Sequence, residues 1–205
     1  AGLQVHTDTQ RELAWRRDAV DPFAFHVDVP QGVNALELRF QHLSPLDAQH
    51  GRVVMTREML NLQWNSVLLY PAGHYDTQIR VTPSLRLPSG WQQASALQVQ
   101  RESGSVVEYQ TVDLGHLVDS PVFAGRHLRR VALDPQGAER PVTLNVVADT
   151  AEQLQASEEQ LQAHRMLVQQ ADRLFGARHF ERYNFLLSIS ERMSATRCRM
   201  PPESV

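Results

Sequence analysis

The stretch Leu128-Arg-Arg-Val-Ala-Leu-Asp-Pro-Gln-Gly-Ala-Glu-Arg-Pro-Val-Thr-Leu-Asn-Val-Val147 decides how this chain is read. Two short runs rich in Leu and Val flank Asp134-Pro-Gln-Gly137, where a φ-fixing proline and a glycine favour a turn. Each run has the length and composition of a strand with one buried face. The same punctuation recurs upstream, at Pro30-Gln-Gly32, Pro88-Ser-Gly90 and Glu102-Ser-Gly104. Between these turns lie Ala24–Val29, Ala35–Phe40, Arg52–Met55, Gln78–Val81, Ala96–Val99 and Val106–Val112, all short and rich in β-branched or aromatic residues. Strands recurring at this spacing predict an antiparallel β-sandwich.

Beyond Asp149 the period changes. Thr150 with Gln153, and Ser157 with Gln160, have the spacing of a capping box. Leu161, His164, Val168, Ala171 and Phe175 then follow at helical spacing as far as Gly176, which predicts one amphipathic helix with a glycine C-cap. Tyr183–Ile189 is a compact apolar run that reads as a buried strand. The expected class is therefore mainly β with C-terminal α: an antiparallel β-sandwich, then an amphipathic helix and a short strand. The expected domains are a β-sandwich-like domain over 1–148, a helix and strand over 149–193 that open a second domain, and an unassigned tail over 194–205. Pro201-Pro202 rules out regular structure there, and the tail is expected to be disordered or loosely packed.

Composition narrows the function. A hydrophobic fraction of 42% over 205 residues supplies a core, and a net charge of -3 without blocks of like charge gives no reason to expect nucleic acid or an acidic membrane as partner. No apolar run approaches the ~20 residues needed to span a bilayer. Ala1 to Asp8 is not a signal peptide, and a removed export signal would leave no trace, so a soluble protein in a periplasmic or exported location stays open. The single cysteine, Cys198, has no partner for a disulfide or a thiolate metal site.

Catalytic signatures are missing. None of the nine histidines is followed by glutamate and no two are four residues apart, so the H-E-x-x-H arrangement, which sets two imidazoles one helical turn apart beside a general base, does not occur. Neither a G-x-S-x-G elbow nor a glycine-rich phosphate loop is present. Ser120, between Asp119 and Pro121, suggests a turn more readily than a nucleophile. Histidines converging from distant strands would make a nonstandard metal site. Trp64, Tyr70, Tyr75 and Trp91 suggest instead either core packing or an exposed platform for peptides or glycans.

Three segments carry a family resemblance: Leu60-Asn-Leu-Gln-Trp-Asn-Ser-Val-Leu-Leu-Tyr-Pro-Ala-Gly73, Leu117-Val-Asp-Ser-Pro-Val-Phe-Ala-Gly-Arg-His127 and Gln162 to Leu187, which contains Ala171-Asp-Arg-Leu-Phe-Gly176. In order and spacing they resemble the glycyl aminopeptidase family of zinc metallopeptidases, a gluzincin-like group. The resemblance implies an N-terminal β-domain ahead of a thermolysin-like catalytic domain, in which zinc-bound water attacks the first peptide bond of substrates beginning with glycine or alanine. It also implies that Ala1 follows further strands and that the zinc-binding helix comes after Met193, where this sequence ceases to match. The expectation is a non-catalytic N-terminal fragment with no cofactor of its own, zinc belonging to the full-length family. Its partner would be the remainder of the catalytic domain, and an open sheet edge with apolar surface around Phe185, Leu186 and Leu187 would favour a homo-oligomer. Asp119, Ser120 and Pro121 are the candidate cleft-lining residues, and no catalytic or metal residue is assigned.

Overall fold

The computed structural model describes residues 1–193, so the expected tail over 194–205, with Cys198, lies outside the described residues. The chain divides into two compact units, one of Ala1–Leu43 and one beginning at Ser44.

In the first unit, β1 (Gln4–Thr7), β2 (Trp15–Arg17), β3 (Phe25–Val27) and β4 (Leu36–Arg39) form two antiparallel ladders, β1 with β4 and β2 with β3. Val5 and Thr7 alternate inward along β1 and are buried with Leu13. The β2–β3 hairpin is fixed by the Trp15–Phe25 edge contact at 5.4 Å and by Asp18. The Asp18 carboxylate accepts from the Asp21 and Val20 amides and lies 2.6 Å from His26 Nε2, and these bonds hold its carboxyl far below the usual range. The sequence pattern pointed to β3 and β4. It missed β1 and β2, whose apolar positions are too few to register as a run.

The second unit holds β5 (Met59–Leu62), β6 (Arg80–Val81), β7 (Ser84–Arg86), β8 (Gln92–Ser95), β9 (Val99–Ser103), β10 (Val106–Tyr109), β11 (Val112–Asp113), α1 (Leu114–Val118), β12 (Val122–Gly125), β13 (His127–Ala132), β14 (Val142–Ala148), α2 (Glu158–Phe175) and β15 (Tyr183–Ile189). Its sheets are small: β5-β12-β8, β7-β10-β9, β13-β14-β15 and the pair β11-β6. The chain is thus mainly β with a C-terminal helix and strand, and every pairing is antiparallel except β14 with β15.

Two cores meet at β12, all four residues of which are buried. Val122 and Ala124 face a cluster with Trp64, Leu87, Leu97, Tyr109 and Leu117. Phe123 faces Met59 and Val147, with Leu128 and Leu186 packed alongside, so the β5-β12-β8 sheet lies against one face of β13-β14-β15. The other face of that sheet carries Leu144, Val146, Phe185 and Ile189, and packs against Val168 of α2. Parallel pairing of β14 and β15 requires a crossover, which α2 provides.

Local chemistry explains where the expected elements hold. Ser157 Oγ accepts from the Gln160 amide at 3.2 Å and Gln160 Oε1 accepts from the Ser157 amide at 2.9 Å, a complete capping box. Gly176 closes α2 at φ 67°, its amide donating to the Asp172 carbonyl. The Thr150/Gln153 pair makes only one of the two bonds, from the Thr150 amide to Gln153 Oε1, and leads into a 3-10 turn at Glu152–Leu154 that includes Gln153; the α-helix itself starts at Glu158.

Two strands differ from the sequence pattern. Arg52–Met55 is not a strand: Thr56 Oγ1 accepts from the Glu58 and Met59 amides, turning the chain back so tightly that only an isolated bridge, Met55 to Leu60, forms. The strand foreseen at Ala96–Val99 is displaced to Val99–Ser103, leaving Leu97 as a core residue in the connection. Trp64 lies just beyond β5, where it begins a 3-10 turn, Trp64–Ser66, and is buried.

Candidate functional site

The cleft-lining candidates Asp119, Ser120 and Pro121 join α1 to β12. Asp113 caps α1, its carboxylate accepting from the His116 amide at 2.8 Å, and that bond holds its carboxyl below the usual range. Gly115 in the first turn admits the Asp76 carboxylate, which a Cβ there would meet at 2.9 Å. At the other end Asp119 is the C-cap residue, exposed, with its amide bonded to the Gly115 carbonyl.

Ser120 is only 3% exposed, and its carbonyl accepts from the indole N–H of Trp64 at 2.9 Å and from Ser95 Oγ at 3.4 Å. Gln63-Trp64-Asn65 and Asp119-Ser120-Pro121, far apart in sequence, are therefore tied to each other directly. Such burial suits a structural joint, and Asp119 alone presents a polar side chain to solvent at this turn.

The aromatic candidates separate by burial. Trp64 lies in the core and Trp91 packs half-buried against it. Tyr70 and Tyr75 are 60% and 77% exposed, in the segment 70–78 that is exposed throughout.

The histidines do not converge. His26 is engaged with Asp18, His50 with Asp47, and His164 Nδ1 with the Gln160 carbonyl of its own helix. Among the described residues no group of three His, Cys, Asp or Glu side chains could hold a metal ion. The zinc that the resemblance implies for a full-length protein therefore finds no fitting ligand set among the described residues.

One cluster was not foreseen. The Arg178 guanidinium donates from Nε to Asp172 Oδ1 at 2.8 Å, from Nη2 to Asp172 Oδ2 at 2.5 Å and Asp134 Oδ1 at 2.8 Å, and from Nη1 to Asp134 Oδ2 at 2.7 Å and the Arg140 carbonyl at 2.5 Å. All five of its N–H donors are used. Arg140 returns the bond, its Nη1 donating to the Arg178 carbonyl. The Arg178 hydrogen bonds are the main reason both carboxyls sit below their usual range, and Arg178 itself is raised, first by Asp172 and then by Asp134. Asp134 also accepts from the Val142 amide at 2.7 Å, fixing the start of β14. The cluster borders an open depression of about 530 Å³. A sequence signal existed only in part: Asp172 and Arg178 straddle the Gly176 cap, whereas Asp134 lies 44 residues from Arg178.

The sequence pattern of the peptidase M61 N-terminal domain matches residues 1–126. The fold is similar to that of a crystal structure of an aminopeptidase N family protein from Idiomarina loihiensis, with a TM-score of 0.62 and 14% sequence identity. That match covers 98% of this chain and 36% of the other, so the present chain spans little more than a third of that protein's length. No curated protein matches the sequence. Among the described residues no helix is long and apolar enough to cross a membrane.

Proposed function

Because this chain belongs to the peptidase M61 N-terminal domain family, we propose that it is the non-catalytic N-terminal part of a larger zinc-dependent aminopeptidase that removes small N-terminal residues, glycine above all, from peptides. Its role is to scaffold the catalytic part and shape the mouth of the cleft. The observation that carries this reading is the Trp64–Ser120 bond, which builds the Asp119 turn into the core and leaves it suited to holding a wall rather than performing a reaction. Glycyl specificity and the zinc of the whole protein rest on the resemblance of the three segments quoted above. The remainder of the catalytic domain is the partner this reading requires. Phe185 and Leu186 on β15 already pack against α2 and the β5-β12-β8 sheet, and exposed Leu187 is an apolar position left on this strand for a further layer to cover.

The test is hydrolysis of glycyl and alanyl anilides by the purified chain, with and without added zinc, beside metal analysis of the same sample. The expected result is no turnover and no stoichiometric metal. Chelator-sensitive turnover would overturn the scaffold reading.

A second reading is favoured by Tyr70 and Tyr75, whose exposure fits a platform for a peptide or glycan. Titration with peptide and glycan panels, followed by tryptophan fluorescence through Trp91 and by the tyrosine signal, is expected to leave both unchanged if the chain is purely a scaffold. A saturable change that is lost in Tyr75→Ala would instead establish the binding module.

A further inference from the structure

The last two turns of α2 are held by different means from the rest of the helix. Leu161 and Val168 are its buried residues, and the last two turns of the helix follow Val168. After Val168 no side chain of α2 is buried: Ala171 and Asp172 are half-buried, and Gln169, Gln170, Arg173, Leu174 and Phe175 are exposed. Hydrophobic packing therefore does little for the last two turns. What fixes them is polar. Asp172 is bonded through Arg178 to Asp134 on the turn between β13 and β14, and Gly176 caps the helix between those two residues.

We propose that residues 169–179 form a latched segment, held on the β13–β14 turn by Arg178 and released as a unit when that arginine loses its carboxylates. The five donors of Arg178 reach three stretches of chain: α2 through Asp172, the turn through Asp134, and the approach to β14 through the Arg140 carbonyl. A guanidinium fork can bridge two carboxylates in one plane, which a lysine ammonium cannot do. The open depression beside the cluster lets water reach it, so the latch opens without dismantling the cores. Phe180, its ring centroid 6.0 Å from the Arg178 guanidinium carbon, packs against the core of Val142, Leu144 and Val168, and Arg182 donates to the Ala96 carbonyl, so the connection into β15 stays in place when the latch opens. Release frees Leu174 and Phe175, already exposed, to move independently of the sheet.

Native-state hydrogen exchange on the full chain tests this. In Arg178→Lys and Arg178→Met the amides of residues 171–176 are expected to exchange at least about tenfold faster than in the wild type, while those of β12 and β14 keep their wild-type rates. Asp172→Ala provides the sharper variant. Alanine favours helix over aspartate, so propensity alone would slow exchange in α2, whereas loss of the latch speeds it. Faster exchange confined to 171–176 in Asp172→Ala supports the latch even if the Arg178 variants fail to fold. Unchanged or slower exchange there, or an equal rise in β12 and β14, overturns it.

Discussion

Trp64→Ala is expected to lower the unfolding free energy by about 3–5 kcal/mol, measured by urea denaturation, because it combines a large cavity with a lost buried hydrogen bond. The indole is 7% exposed and packs in the cluster that contains Leu97, Tyr109, Leu117 and Val122. Removing it leaves a void that these neighbours, anchored on β10, β12, α1 and the connection between β8 and β9, cannot close. The Ser120 carbonyl also loses its 2.9 Å donor and keeps only the longer bond from Ser95 Oγ. Trp64→Phe separates the two effects: most of the volume stays, the N–H goes, and the expected cost is about 1–3 kcal/mol. Globular domains are stable by roughly 5–15 kcal/mol in total, so the alanine variant should be partly unfolded at modest temperature. A loss below about 1 kcal/mol in Trp64→Ala would mean that the indole is not a keystone, and the scaffold reading of the Asp119 turn would lose its physical basis.

How far sequence alone could reach is seen by comparing two features of the same unit. The start and stop of α2 were legible because their causes are local: Ser157 and Gln160 are three residues apart, and Gly176 must take the left-handed conformation at its own position. The Trp64–Ser120 joint spans 56 residues, and nothing in either segment specifies the other. Family resemblance marked both segments as notable without indicating that they touch. The Arg178 cluster was hidden for the same reason, since two of its acceptors sit near a turn that reads simply as Asp-Pro-Gln-Gly.

Strand readings failed where hydrogen-bonding partners, not apolar content, decide. Arg52–Met55 has the composition of a strand and a buried Val53, but the turn at Thr56 limits its pairing with β5. β12 shows the converse. Val-Phe-Ala-Gly is too short to announce a strand, yet it lies at the centre of its sheet with β5 on one side and β8 on the other. Burial on both faces comes from its neighbours and leaves no alternation to detect. The aromatic residues divide likewise: Trp64 and Tyr75 are both plausible core residues by type, and only the three-dimensional path of the chain sends one inward and the other outward.

Gly125→Val is expected to cost about 3 kcal/mol or more, because the side chain has nowhere to go. A Cβ at Gly125 would stand 2.8 Å from the Glu58 carbonyl oxygen, 3.2 Å from Met59 Cβ and 3.4 Å from Met59 Cα. The nearest obstacle is backbone, and that backbone is committed: the same Glu58 carbonyl accepts from the Arg126 amide at 2.9 Å, and Met59 pairs with Gly125 in the ladder. Relief would have to come from pushing β5 away from β12, and Met59 is fully buried in the core between the two sheets. Gly125→Ala meets the same carbonyl with its single methyl and is expected to cost about 1–3 kcal/mol. Gly137→Ala is the informative comparison. Gly137 has a φ of 85° and open space where a Cβ would be, so its penalty is conformational, about 1 kcal/mol. Gly125 is not among the glycines of positive φ, and its penalty is steric. Thermal or urea unfolding should therefore rank Gly125→Val above Gly125→Ala and both above Gly137→Ala. If Gly125→Ala proved as mild as Gly137→Ala, β5 and β12 would have room to separate at Met59, and the close approach that seats β12 between its two cores would not be what orders this unit.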